Sequence, residues 1–251
     1  MEGKVADRFS DFYEKWMAQL EDLHQLLVAS RKHAQEGGLE DIVNKLTAHH
    51  KEYYEVKWAT AHEAVLPFFN PVWLSPLESA YLWITGWKPS MAFRLVKSLR
   101  TAQTPAGWSV DAGVTEEQVN KIEALRLKIK AEEERVEREM ERQQVALADR
   151  KMVELAKLER IVKRNGDSAA VSQVNGLVEA AVSGLLAGLE QVMKMADCVR
   201  LKTMKGLLDV LTPVQCVDFL AASSILQIQT RKWGKMREKS SNDAQNFVAQ
   251  E

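Results

Sequence analysis

Residues 70–94 read NPVWLSPLESAYLWITGWKPSMAFR, with Trp73, Trp83 and Trp87 set around one short segment. Ser75, Pro76 and Glu78 form a capping-box pattern with proline at the first helical position. That pattern predicts a helix starting at Pro76, because side chains satisfy its free N–H groups. Gly86 is the expected stop. Leu77, Ala80, Tyr81 and Ile84 fall at i, i+3, i+4 and i+7 and make one apolar face, while Leu82 and Trp83 point elsewhere. A helix that is apolar nearly all round needs cover on most sides, from the rest of the chain or from a partner. The stretch therefore marks a packing centre, not a catalytic one.

Upstream of it, Val5, Phe9, Phe12, Trp16, Leu20, Leu23 and Leu27 recur at steps of three and four, the spacing of an amphipathic helix reaching about residue 32. Gly37-Gly38 is its expected break. Ile42, Leu46, His49, Tyr53, Val56 and Thr60 form the stripe of a second helix from about residue 39, ended by Pro67 and Pro71.

Downstream, Lys88-Pro89-Ser90 opens a short helix through Leu99, and residues 101–114, rich in Thr, Pro, Gly and Ser, read as a surface loop. Thr115, Glu116, Glu117 and Gln118 form a second capping box, and no Pro or Gly follows before Gly166. The spacing thus predicts one helix of about 50 residues. Ile122, Ile129 and Val136 repeat every seven residues, but Gln143 interrupts the series. The charged run 132–142 reads as a solvated helix face, with a homodimeric coiled coil as the alternative.

Beyond Gly166, Val171, Val174, Val178, Ala181, Leu185, Leu189, Val192 and Met195 keep the period of a central core helix, with Gly184 and Gly188 allowing close approach. Thr212, Pro213 and Gln215 repeat the cap-plus-proline pattern, and Val214, Val217, Leu220, Ser224 and Ile228 carry a last helix toward Trp233. No stretch alternates with the two-residue period of a strand. The chain is read as all-α, an elongated bundle of about seven helices with two long antiparallel helices meeting at Asn165-Gly166. It forms a single domain over residues 5–247, between tails 1–4 and 248–251.

With 251 residues, 46% of them hydrophobic, the chain can bury a substantial core. Its 34 Lys+Arg against 35 Asp+Glu give no overall field, which disfavours a nucleic-acid binder working through bulk positive charge. Cys198 and Cys216 lack the spacing of a zinc or redox site and fit a reducing compartment without a disulfide. Asp7, Asp11, Glu14 and Glu21 interrupt the zone where a signal peptide keeps its apolar core, so an intracellular protein is expected. The apolar stretch 176–189 contains Glu179 and is shorter than the ~20 residues of a membrane span. It is expected to be a buried helix, and no membrane association is expected.

Catalytic patterns are missing: there is no GxSxG, no glycine-rich phosphate loop, and His62-Glu63 lacks the second histidine of HExxH. His49 and His50 are adjacent and diverge by about 100° on a helix, so no metal site is expected. One should pack beside Tyr53 and the other lie in solvent. Arg231, Lys232, Lys235 and Arg237 form a basic C-terminal patch around Trp233. With Ile228, Gln229 and Gly234 it partly resembles the IQ pattern of calmodulin-binding helices, although Trp233 and Glu238 stand where basic residues are expected. Calmodulin, an anionic surface or nucleic acid, and a plainly solvated helix end are the three readings of this patch. Trp73, Trp83, Trp87 and Trp108 are the candidate partner-binding residues, with core packing as the competing role.

The motif WLSPLESAYLWITGWKPS resembles the tryptophan-containing signature of the plant DELAY OF GERMINATION (DOG) domain, which is shared with TGA-type bZIP transcription factors. Two other segments agree in order: FYEKWMAQLEDLHQLL at 12–27, and ADCVRLKTMKGLLDVLTPVQCVDFLAA at 196–222 with its alanine-aspartate-x-x-arginine start. The resemblance implies a helical, non-enzymatic regulatory domain of nucleus and cytoplasm. It would act through protein–protein interactions in transcriptional regulation or in abscisic-acid and seed-dormancy signalling. Implied partners are type 2C phosphatases, TGA-type bZIP factors and transcriptional co-regulators.

Two departures narrow this. Few residues precede the first helix, so no basic region or zipper is present for direct DNA reading, and DNA association would run through a TGA-type partner. No histidine follows His62, so the C-terminal haem ligands proposed for a dormancy-type member are missing and no cofactor is carried over. A sensor holding a fatty acid, haem or hormone between helices is the competing reading from another class.

Overall fold

In the computed structural model, residues 2–32, 36–101, 114–166 and 168–248 are described. Among them the chain forms nine helical segments: α1 (Glu2–Lys32), α2 (Glu36–Glu63), α3 (Leu66–Phe69), α4 (Pro76–Ala80), α5 (Ser90–Thr101), α6 (Glu116–Ala146), α7 (Arg150–Asn165), α8 (Ser168–Val210) and α9 (Pro213–Val248). The all-α expectation holds; the count exceeds seven because proline sets off the one-turn α3 and the long central helix divides.

The body is built from α1, α2, α9 and the second half of α8, with α3 to α5 closing one side. The stripe read from the first helix is its core face: Val5, Phe9, Trp16, Leu20 and Leu27 are buried. Phe9, Trp16, Leu20 and Leu27 share one core with Leu39, Ile42 and Leu46 of α2 and Val217, Leu220, Ala221 and Ile228 of α9. The α2 helix begins at Glu36, ahead of Gly37-Gly38, so these glycines are not the break they were expected to be; residues 33–35 lie outside the described residues.

The helix predicted over residues 115–165 is two. Its start is as read, with Thr115 Oγ1 accepting from Gln118 N and Gln118 Oε1 accepting from Thr115 N. It stops at Ala146 and resumes at Arg150, with Asp149 in extended backbone between them. The reason lies in register. Ile129 and Val136 are buried, whereas α7 turns half-buried Met152, Leu155 and Val162 inward, positions on average about 100° away from that stripe on a continuous helix. The break resets the phase. Gly166, at φ +74, then turns the chain back so that α8 runs antiparallel to α7 and α6.

Burial divides α8 sharply. From Val192 to Leu207 it carries Met193, Ala196, Asp197, Val199, Arg200 and Thr203 fully inside, but from Ser168 to residue 191 only Val174 is buried. The expectation that 176–189 is a buried core helix is therefore corrected: α8 joins the body only from about Leu186, where Leu186 and Leu189 pack against the core, Gly188 meets Gln143 of α6 and Glu190 meets His62 of α2, and ahead of that it pairs with α7 as a two-helix arm. Much of its apolar content lies at the surface, including Leu177 and Val182. By length and composition alone, α8 contains a stretch apolar enough to cross a membrane.

Candidate functional site

One face from each body helix converges on a cavity of about 270 Å³. From α2 come His50, Tyr53, Tyr54 and Lys57, at i, i+3, i+4 and i+7; from α8 come Asp197, Arg200 and Met204, at i, i+3 and i+7. Phe219, Ser223 and Gln227 supply the α9 wall, and Tyr13 and Trp16 the α1 wall. Trp73 and Trp87 bring the quoted stretch to the rim. Three lining residues, Tyr81 (71% exposed), Met91 and Leu226, are also at the surface, so the cavity opens to solvent through an apolar mouth on that side.

Behind the aromatic interior lies a buried charged cluster. Asp197 Oδ1 accepts from Lys57 Nζ at 2.8 Å and from Arg200 Nη1 at 2.6 Å, while Oδ2 accepts from Trp58 Nε1 at 2.9 Å. Lys57, Asp197 and Arg200 are 1%, 0% and 0% exposed. Two cations share one carboxylate, and backbone oxygens take up the remaining donors. Arg200 donates through Nε to Trp87 O at 2.7 Å and through Nη2 to Ile84 O at 2.8 Å and to Trp83 O; Lys57 donates to Thr85 O and Thr85 Oγ1. A Cβ on Gly86 would lie 2.8 Å from Arg200 Cζ, so glycine is what admits the guanidinium. Burial pushes the Lys57 ammonium down to about 8, against the opposing pull of Asp197.

These carbonyls explain why the quoted helix is shorter than expected. It ends at Ala80, not near Gly86, and residues 83–86 make a tight two-residue turn closed by Trp83 N to Gly86 O at 2.7 Å and Gly86 N to Trp83 O at 3.3 Å. Ile84 and Thr85 sit at φ +40 and +60, a left-handed conformation that β-branched residues resist. Side-chain donors from α2 and α8 hold that turn in place. The predicted capping box is present, and Glu78 also receives buried Arg231. The apolar face proposed for Leu77, Ala80, Tyr81 and Ile84 does not form, since Tyr81 points to solvent.

The tryptophans divide by role. Trp73 is buried between Phe9 and Phe68, with ring centroids 4.7 and 5.3 Å away. Trp87 lines the cavity and donates to Tyr54 OH at 3.3 Å. Trp83 turns outward to Glu137 of α6, donating at 2.8 Å beneath Lys88. Trp108 lies outside the described residues. Trp16, read only as part of the first helix's stripe, and Trp58, which the sequence reading did not single out, are the indoles that join the cavity wall and the Asp197 cluster respectively.

Neither central histidine is solvated, which corrects the expectation for His49-His50. His49 stacks on Trp16 at 4.6 Å, and His50 lines the cavity with Nδ1 against Leu46 O at 2.9 Å. That bond needs the Nδ1–H tautomer, which leaves Nε2 as a bare acceptor. Burial lowers His50 to about 4. Burial also raises Tyr13, Tyr53 and Tyr54 above their ordinary value, so the interior presents neutral hydroxyls. Among the described residues no three His, Cys, Asp or Glu side chains are grouped to hold a metal ion.

The basic patch is largely neutralised within the chain. Arg231 is buried, pairing with Glu14 and Glu78 and donating to Trp73 O; Lys232 pairs with Glu21, and Lys235 with Glu14 at 3.1 Å. Arg237 and Trp233 remain exposed. These contacts fasten α9 to α1.

Comparison with known proteins agrees with the segment order. The family described as "DOG1: Seed dormancy control" matches residues 11–98. Protein DOG1-like 4 of Arabidopsis thaliana is 53% identical over 239 residues, covering 94% of this chain and 96% of that protein. Protein DOG1-like 3 of Arabidopsis thaliana is 28% identical across 90% of this chain and 84% of its own length. Transcription factor TGA2.2 of Oryza sativa is 27% identical across 88% of this chain and 61% of its own length.

Proposed function

The chain belongs to the DOG1 seed-dormancy-control family, whose domain TGA-type transcription factors share, and from that premise we propose that it is a non-enzymatic regulatory protein acting through protein–protein contacts. It works in transcriptional regulation or abscisic-acid and dormancy-type signalling, in the nucleus with a cytoplasmic pool. Its partners are a TGA-type bZIP factor, a co-regulator or a type 2C phosphatase; calmodulin is the weaker candidate now that Arg231, Lys232 and Lys235 are engaged inside the chain.

The observation that carries this reading is the mouth of the cavity. Tyr81, Met91 and Leu226 lie exposed around an opening whose interior is aromatic, an arrangement suited to receiving an apolar anchor from a partner. Mixing the chain with a full-length TGA-type factor on cognate DNA tests it. The factor's band should shift further with the wild-type chain and not with the double variant Tyr81→Ser, Leu226→Ser, while the chain alone shifts nothing. An equal supershift by both proteins would remove the mouth from the function.

A second reading is favoured by the polar groups inside. His50 and Tyr53 line the cavity, and neither His50 Nε2 nor the Tyr53 hydroxyl has a bonded partner among the described residues, as in sites that orient a small ligand such as a fatty acid or hormone. Native mass spectrometry and an absorption spectrum of freshly purified protein separate the two. A retained molecule of stoichiometric mass supports the sensor, and an apo mass with no visible absorption removes it.

A further inference from the structure

The arm carries a second surface, independent of the cavity. In α7, Arg150, Lys151, Lys157, Arg160, Lys163 and Arg164 stand against Glu154 and Glu159 alone, in a chain that is balanced as a whole. Two of the six cations are answered within the helix, Arg150 by Glu154 and Lys163 by Glu159. Lys151, Lys157, Arg160 and Arg164 are exposed and form no ion pair among the described residues.

Helical spacing gathers most of this charge on one side. Lys157, Arg160 and Arg164 fall at i, i+3 and i+7, and Val153 and Ile161, both about half exposed, lie in the same stripe. The inward side is already used, because Met152, Leu155 and Val162 are turned toward α8. What remains outward is a ridge of cations interrupted by aliphatic side chains at helical intervals.

We propose that this outer face of α7 docks an acidic amphipathic helix of a partner protein, with Lys157, Arg160 and Arg164 meeting its carboxylates and Val153 and Ile161 its aliphatic residues. Charge complementarity selects the occupant. A second copy placed symmetrically would set cation against cation, the same patch facing itself. A bilayer is a poorer match, because the ridge itself holds no aromatic residue to insert. Nucleic acid would use the charge but not the interleaved aliphatics.

The test uses the full chain and a fluorescent helical peptide of Leu and Glu, with the Leu at i, i+3, i+4 and i+7, beside a scrambled peptide of the same composition. Fluorescence anisotropy should show the patterned peptide bound about tenfold more tightly than the scrambled one, with affinity falling as salt rises. The triple variant Lys157→Glu, Arg160→Glu, Arg164→Glu should lose at least about tenfold, and Val153→Ser with Ile161→Ser should lose severalfold. Neutral replacements (Lys157→Gln, Arg160→Gln, Arg164→Gln) keep the comparison valid should reversal disturb the helix.

Equal binding of the two peptides, or no effect of the triple variant, would overturn the proposal. Tighter, reversal-sensitive binding to phosphatidylserine vesicles or duplex DNA would overturn it in favour of those surfaces. A dimer seen by light scattering and lost in Val153→Ser, Ile161→Ser would do the same in favour of self-association.

Discussion

At the scale of single residues, the Asp197 carboxylate holds the centre of the body. Replacing it with Asn leaves Lys57 and Arg200 buried without a counter-charge, which should cost about 3–5 kcal/mol in chemical denaturation. Lys57→Met should cost less, about 1–3 kcal/mol, because Arg200 and Trp58 still satisfy Asp197 after its bond from Lys57 and the Thr85 contacts are lost. The order of the two variants is the informative result; a milder effect for Asp197→Asn would contradict the assignment. Lys57 also predicts a pH dependence. Its folded value near 8 lies below the ordinary 10.5, so between these values the unfolded chain holds a proton that the folded one has released. Stability from this group is therefore lowest below about pH 8 and rises with pH across the window. Buried tyrosines and Cys216, held above their ordinary values, act in the opposite sense at the alkaline end. The difference between wild type and Lys57→Met isolates the lysine: it should move in favour of the wild type from about pH 7.5 to 10, and a flat difference would refute the shift. None of this was legible from residue types. Lys57 was not singled out and Asp197 entered only through the alanine-aspartate-x-x-arginine stretch, because what buries each is a partner 140 positions away.

At the scale of elements, side-chain patterns that act locally were readable and those settled by distant groups were not. The Ser75–Glu78 and Thr115–Gln118 boxes form as their spacing requires. Thr212 and Gln215 repeat the device, and Gln118 Nε2 joins the two by donating to Gln215 Oε1 at 2.9 Å. The end of α4 could not be read, because Arg200 and Lys57 take the carbonyls that would have continued the helix. The division of the long central helix left a trace, a change of apolar phase past Gln143, that a search for Pro and Gly passes over. Glycines in these helices behave oppositely according to what faces them. A methyl on Gly234 would overlap the Ser75 side chain, so Gly234→Ala should separate α9 from the α4 cap and cost about 1–3 kcal/mol. Gly184 meets open space, and Gly184→Ala should raise stability by up to about 1 kcal/mol through helix propensity. Thermal unfolding of the two variants checks both signs, and equal shifts would count against the packing described for Ser75.

At the scale of the whole molecule, the bundle places its chemistry in two regions: an aromatic cavity opening through Tyr81, Met91 and Leu226, and a basic ridge on an uncovered arm. The all-helical architecture was legible because every long segment carries a single apolar period, whereas the cavity was not, being shared among faces that each look like ordinary core. Trp73 and Trp87 reached it, Trp83 turned to Glu137, and Trp16 entered from a helix read only for its stripe. The central claim is that the cavity mouth binds other proteins. Affinity purification from plant nuclear extract, with wild type and the folded double variant Tyr81→Ser, Leu226→Ser compared by quantitative mass spectrometry, addresses it most directly. A defined set of proteins should be depleted at least about tenfold from the variant. Identical recovery of every co-purifying protein with both chains would contradict the account.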